Sequence, residues 1–264
     1  MTQLHWTNDG SIMTITTSGG YFLGFLTVIP QLFSAHKQYA ALLSSLTEVS
    51  VVDCSRNNMV VGKTELEVEP HHLSIGSDHF AVGINDAVWF YRWRPMGAND
   101  EVSGGSTFNL VCKRDYTGTV KKVIMNDTWA AALSDGQVFV HSIEEPHEQM
   151  RRFPHNKNQE TPIVNVEMAG DFLLMIDANG KLKYYLIEDN TTICEHKSQN
   201  PIVKVFPNFS GTKCICMDNT GNGYLYNPID DTSIFIPNFS AQTNQVLWDI
   251  DDPNLFVTVD SEKM

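Results

Sequence analysis

The 264-residue sequence predicts an all-β fold, a β-propeller of four-stranded blades, and three observations carry that prediction. The pentapeptide PIVNV at 162–166 returns as PIVKV at 201–205. Both copies open the same longer pattern: a β-branched strand, a turn, an apolar strand, a tight turn holding a residue tolerant of positive φ, then an aromatic strand. Further copies recur at a period near 40–45 residues, the spacing of propeller blades.

In chain order, the first unit is QLHWTNDGSIMTITTSGGYFLGFL, from Gln3. The second, EVEPHHLSIGSDHFAVGINDAVWFYRW, turns at Asn85-Asp86, and the third, GTVKKVIMNDTWAAALSDGQVFVHSIEE, turns at Asp135-Gly136. PIVNVEMAGDFLLMIDANGKLKYYLIED and PIVKVFPNFSGTKCICMDNTGNGYLYNPIDD follow, turning at Asn179-Gly180 and Thr220-Gly221. NQVLWDIDDPNLFVTVDSEKM closes the series, with Gln245 and Trp248 matching Gln3 and Trp6. Anchoring on a first-strand valine aligns Val120, Val164, Val203 and Val246 in steps of 44, 39 and 43, with Val68 as the anchor of the second unit. Fourth strands are expected at LTEVSVVD (46–53), TFNLVCK (107–113), TTICEHK (191–197) and TSIFIP (232–237). The 64-residue step from Leu4 to Val68 leaves extra sequence near 27–45, read with PMGANDEVSGGS (95–106) as surface insertions. The expectation is one partial propeller over 1–264, about five and a half blades, with an incomplete ring whose last unit ends at the edge strand LFVTV.

The composition, 42% hydrophobic and 19% charged, supports a globular core. Thirty-one acids against 18 bases give a net charge of −13, which repels phosphate backbones, so no nucleic-acid partner is expected. YFLGFLTVIPQLF (21–33) is too short to span a bilayer and no Lys or Arg precedes Lys37, so it reads as strand and loop, not as a transmembrane or signal segment. Five cysteines without framework spacing point to reduced thiols in a reducing compartment, where the sequons at Asn126, Asn190, Asn208 and Asn238 carry no meaning.

Chemistry is sparse. Cys214 and Cys216 share one face of a strand, a packed pair rather than half a metal site. His71-His72 would point to opposite faces of a strand, and a turn after the first strand is their expected place. TGNGYLYN opens a strand, so its Gly-x-Gly is a hairpin turn and not a phosphate loop. Asp9, Asp86, Asp135, Asp177 and Asp218 read as turn formers. No catalytic residue, cofactor or metal site is assigned. The one candidate protein interface is FYRWRP, where Arg92, Trp93 and Arg94 combine residue types that dominate interface energetics; the competing reading packs Trp93 between blades.

The blocks LHWTNDGSIMTITTSGGYFLGFLTVIP, VEPHHLSIGSDHFAVGINDAVWFY, YTGTVKKVIMNDTWAAALSDGQV and PNFSGTKCICMDNTGNGYLYNPIDDTSIFIPNFS resemble, in order, the second WD-type propeller of large ciliary proteins of intraflagellar transport complex A. The resemblance runs through nearly the whole chain, broken mainly at 95–106. It implies a fragment of a longer subunit, with tandem propellers and a helical solenoid, that acts without enzymatic activity as a scaffold in retrograde transport and cilium assembly. Implied partners are other complex A subunits and ciliary membrane-protein cargo adaptors; the implied location is the cilium and basal body, on the cytoplasmic side. Alternatives are a coatomer-like trafficking subunit and a propeller enzyme using its central channel. The Trp-Asp dipeptide that should end third strands is absent there; Trp248-Asp249 falls on a first strand, so packing rather than the usual hydrogen-bonded tetrad is expected to join the blades.

Overall fold

A computed structural model describes residues 3–7, 12–26, 32–93, 108–145, 149–155 and 161–260. These form seven antiparallel sheets, each built from consecutive strands. The first sheet has three strands, β1–β3 (Gln3–Trp6, Ile12–Thr16, Phe22–Leu26). The second has four, β4–β7 (Phe33–His36, Tyr39–Ser45, Glu48–Asp53, Met59–Glu65). The third is β8–β11 (His72–Ile75, His79–Ile84, Ala87–Arg92, Asn109–Asp115), and the fourth β12–β15 (Val120–Met125, Trp129–Ser134, Gln137–Ser142, Arg151–Phe153). The fifth is β16–β19 (Ile163–Ala169, Phe172–Asp177, Lys181–Leu186, Thr191–Lys197), and the sixth β20–β23 (Ile202–Pro207, Cys214–Asp218, Gly223–Asn227, Thr232–Ile236). The seventh has two, β24 and β25 (Thr243–Trp248, Phe256–Asp260).

The fold class is the expected propeller, but the count is seven sheets, not about five and a half blades. The difference lies at 33–65. Phe33–His36 and Tyr39–Ser45, expected within a surface insertion, are the first two strands of a complete sheet, and 46–53 supplies its third strand rather than a fourth strand of the unit before it. YAALLSS lacks an aromatic or β-branched run, but Ala40 and Ala41 are buried, because small side chains let a neighbouring sheet approach. The insertion expected at 95–106, and residues 27–31, lie outside the described residues.

Successive first strands β4, β8, β12, β16 and β20 neighbour one another, so they line the axis and the later strands of each sheet radiate outward. Second strands are buried on both sides, which is why HFAVGI, WAAALS, FLLMID and CICMD read as continuous apolar runs instead of alternating ones. On β17, Leu173 and Met175 pack back against the fourth sheet while Leu174 and Ile176 pack forward against the sixth. Each fully buried side chain of this kind contributes about 1.5–3 kcal/mol. Five such apolar seams join the second through seventh sheets.

The repeated pentapeptide has a physical cause. Asn85, Gly136 and Gly180, in the turns between second and third strands, accept backbone hydrogen bonds at their carbonyls from Val120, Ile163 and Ile202, the first residues of the next sheets. Gly136 and Gly180 have φ of 78° and 75°, and a Cβ on them would lie 2.8 Å from Pro162 Cβ and 2.4 Å from Pro201 Cα. The Pro-Ile start of one blade is therefore built to seat on the glycine turn of the blade before it.

Register also corrects the alignment of the valines. A β-bulge in each of the first strands β12, β16, β20 and β24 skips, in turn, Lys121, Val164, Val203 and Asn244, so the matching buried valines are Val123, Val166, Val205 and Val246. Val164 and Val203 instead face solvent, 51% and 37% exposed. In the third sheet Val68 precedes the first strand, which begins at His72; the histidine pair thus does not occupy a turn after that strand.

Candidate interaction sites at the blade seams and the channel

The structure separates Arg92 from Trp93. Trp93 is fully buried in the seam between the second and third sheets, its ring edge-on to Tyr39 at 4.7 Å and in one cluster with Leu73, Phe80, Val82 and Phe108. Its indole Nε1 has no hydrogen-bond partner among the described residues. The ring is packing, not exposed surface. Arg92, at the end of β10, pairs with Glu144 beyond β14 and so bridges the third and fourth sheets; this hydrogen bond holds the Glu144 carboxyl below its ordinary value. His79 Nε2 lies 3.2 Å from the same carboxylate but out of line for a hydrogen bond, and burial lowers its pKa. Arg94 lies outside the described residues.

A second set of polar groups lines the axis. His72, Lys122, Asn165 and Lys204 occupy one equivalent position, each paired across from the second strand just inside its turn. Each reaches to the next sheet. His72 Nε2 lies 2.8 Å from Val120 O, Asn165 Nδ2 donates to Val203 O at 3.4 Å, and Lys204 Nζ donates to Thr243 O at 3.4 Å. Lys122 pairs with Glu167 and reaches Asn165 Oδ1 at 3.5 Å. Glu167 keeps 26% of its side chain open, yet protein surrounds it at the axis, and desolvation raises its pKa against the lowering pull of Lys122. Sequence reasoning missed this ladder, although a signal was present: Asn165 and Lys204 are the single difference between PIVNV and PIVKV.

The remaining candidates among the described residues are structural; Asp9 lies outside them. Cys214 and Cys216 face one side of β21, buried, with their sulfurs 3.5 Å apart beside Tyr184 in the seam of the fifth and sixth sheets. Asp177 and Asp218 cap their turns: Asp177 Oδ1 accepts from the backbone N–H groups of Asn179 and Lys181, and Asp218 Oδ1 from those of Thr220 and Asn222. Burial pushes the Asp218 pKa up, but donors on Asn200, Thr220 and Asn222 outweigh it and bring the carboxyl down to about 2. Gly221 of TGNGYLYN sits in that hairpin turn at φ 86°. In the seam of the third and fourth sheets, His141 Nδ1 donates to Ser142 O at 2.8 Å, which leaves Nε2 to accept from the Tyr116 hydroxyl at 2.7 Å. Trp248 lies on a first strand, as expected, and its Nε1 donates to Phe206 O at 3.1 Å. No described helix is long and apolar enough to cross a membrane.

Comparison with known proteins places this geometry. Among solved structures, Hsv2 from Kluyveromyces lactis superposes with a TM-score of 0.56 over 93% of this chain and 85% of that one, at 10% identity; this is a likeness of fold alone. WD repeat-containing protein 19 of Homo sapiens is 30% identical over 269 residues, covering 99% of this chain and 19% of that protein. The Mus musculus protein of the same name matches equally, and WD repeat-containing protein dyf-2 of Caenorhabditis elegans is 23% identical over 98% of this chain. The chain thus spans about a fifth of the length of these relatives. The family model of the WDR19 second beta-propeller matches residues 40–264, and the chain, with its WD-type sheets and its sequence kinship to these proteins, belongs to the WDR19 second beta-propeller family.

Proposed function

We propose that this chain is a non-enzymatic interaction scaffold, the second propeller of an intraflagellar transport complex A subunit acting in retrograde ciliary transport and cilium assembly. The observation that carries the reading is the match to the WDR19 second beta-propeller over residues 40–264. The structure is in keeping with it: polar contacts such as Arg92–Glu144 and Tyr116–His141 join neighbouring blades. In this reading the partners are other complex A subunits and ciliary membrane-protein cargo adaptors, and the site of action is the cilium and basal body. The test is affinity capture of the tagged chain from ciliated cells followed by mass spectrometry. Enrichment of complex A subunits over a propeller of similar charge is expected; enrichment of coatomer subunits instead would overturn the reading.

A further inference from the structure

One cavity of about 260 Å³ opens at the axis, between the first strands of the second, third and fourth sheets. At about 30 Å³ per water it has the volume of roughly nine waters, just below the range of about 300–1,000 Å³ usual for drug-sized ligands, so only a small ligand fits. Its polar lining is Ser34, His72, Ser74, Lys121 and Lys122, with no carboxylate among the described lining residues. That inverts the charge of a chain carrying −13. Lys122 is committed to Glu167, but Lys121, the exposed residue skipped by the bulge in β12 at the cavity's rim, has no ion-pair partner among the described residues. Ser74 is only 7% exposed, and its hydroxyl has no hydrogen-bond partner among the described residues while bordering the cavity. That hydroxyl is not one of the partnerless polar atoms sealed from solvent, so it stays open to whatever enters the cavity. Ser34 Oγ accepts from Ile75 N at 3.2 Å, so its O–H remains available to donate. Burial lowers the His72 pKa, which leaves the positive charge to the lysines. Leu32 and Ile124 border these groups with partly open apolar side chains, while Leu73 and Val123 are nearly buried in the seams on either side of the third sheet.

We propose that this cavity binds a carboxylate on a short apolar stem: Lys121 supplies the charge, Ser74 and Ser34 donate hydrogen bonds, and the apolar lining of Leu32 and Ile124 receives the stem. The proposal stands apart from the ciliary reading, since it depends on the cavity and not on which complex the chain joins. A methyl NMR titration of the 264-residue chain at constant ionic strength tests it, with butyrate as probe and butyramide as its uncharged match. Butyrate is expected to give saturable shifts at the methyls of Leu73, Val123 and Ile124, with butyramide at least about tenfold weaker, the factor that about 1.4 kcal/mol of charge recognition supplies. Lys121→Glu should weaken butyrate by about tenfold or more and Ser74→Ala by severalfold, while Lys197→Glu on β19 leaves it unchanged; methyl signals remote from the cavity report that each variant is folded. Acetyl-Ala-Val as free acid, compared with butyrate, assigns the carboxylate to a peptide end if it binds more tightly and to a free organic acid if it binds more weakly. Equal response to butyrate and butyramide, no saturable response at all, or Lys121→Glu and Ser74→Ala both within twofold of the parent would overturn the proposal.

Discussion

Replacing Trp93 separates packing from recognition at the one position where the sequence allowed both. The indole is fully buried against Tyr39, Phe80 and Phe108, so Trp93→Ala empties the seam between the second and third sheets. Deletions of this kind cost about 3–5 kcal/mol. At about 2 °C per kcal/mol for a chain of this length, Tm should fall by roughly 6–10 °C. Trp93→Phe behaves differently. It gives up some apolar area, about 1–2 kcal/mol at ~0.8 kcal/mol per methylene equivalent. It also removes the indole N–H that lacks a partner among the described residues, relieving a penalty of about 1–3 kcal/mol. The two terms offset, so Trp93→Phe should stay within about 1 kcal/mol of the parent. Urea denaturation followed by tryptophan-independent far-UV circular dichroism reads both variants, and affinity capture below the lower Tm reads partner binding. If Trp93→Ala leaves stability unchanged yet abolishes capture of partners, the seam argument is wrong and the ring is recognition surface.

Other perturbations test other links. Gly180→Ala must place a Cβ 2.4 Å from Pro201 Cα at φ 75°, whereas Gly20→Ala, at φ 80°, meets nothing within 4 Å. Left-handed strain of about 1–2 kcal/mol is common to both, so urea midpoints should show Gly180→Ala worse by a further ~1–3 kcal/mol; equal costs would mean the turn and the proline do not touch. Burial pushes the His141 pKa down to about 4 from its ordinary 6.5, so its contribution is complete above the unfolded value and is lost as pH falls from 6.5 toward 4. That linkage amounts to about 3 kcal/mol, and His141→Phe should flatten the stability–pH curve in that window; an unchanged slope there would refute the assignment. For Lys122 and Glu167, each partly open to the axis, Lys122→Met alone should cost about 1–3 kcal/mol by stranding the carboxylate, while Lys122→Met with Glu167→Leu should return to within about 1 kcal/mol of the parent. Glu167 has a raised folded pKa, so its own contribution is greatest at low pH and falls as pH rises above the ordinary 4.5; a double-mutant cycle showing no coupling would exclude the pair.

The sequence by itself determined what is encoded over short distances. Alternation, apolar runs and positive-φ turn residues are local, so the strands at 172–177 and 181–186, the turns at Asn85-Asp86, Asp135-Gly136, Asn179-Gly180 and Thr220-Gly221, and the repeat itself were legible. The fourth strands at 191–197 and 232–236 followed from the same logic. What only the tertiary structure decided depends on contacts between sheets. Tyr39–Ser45 has weak strand propensity, and it is the packing of Ala41, beside Val49 and Val51 of its own sheet, with Phe80 across the seam that makes it the second strand of a blade. The bulges moved the aligned valines because a skipped residue leaves no local trace in a β-branched run. Trp93 could be assigned to core or surface only once Tyr39, about fifty residues earlier, was seen against its ring. The axial ladder and the carboxylate-free cavity have the same origin: His72 approaches Lys121 and Lys122 only because consecutive first strands lie side by side, a proximity set by the radial packing of whole sheets.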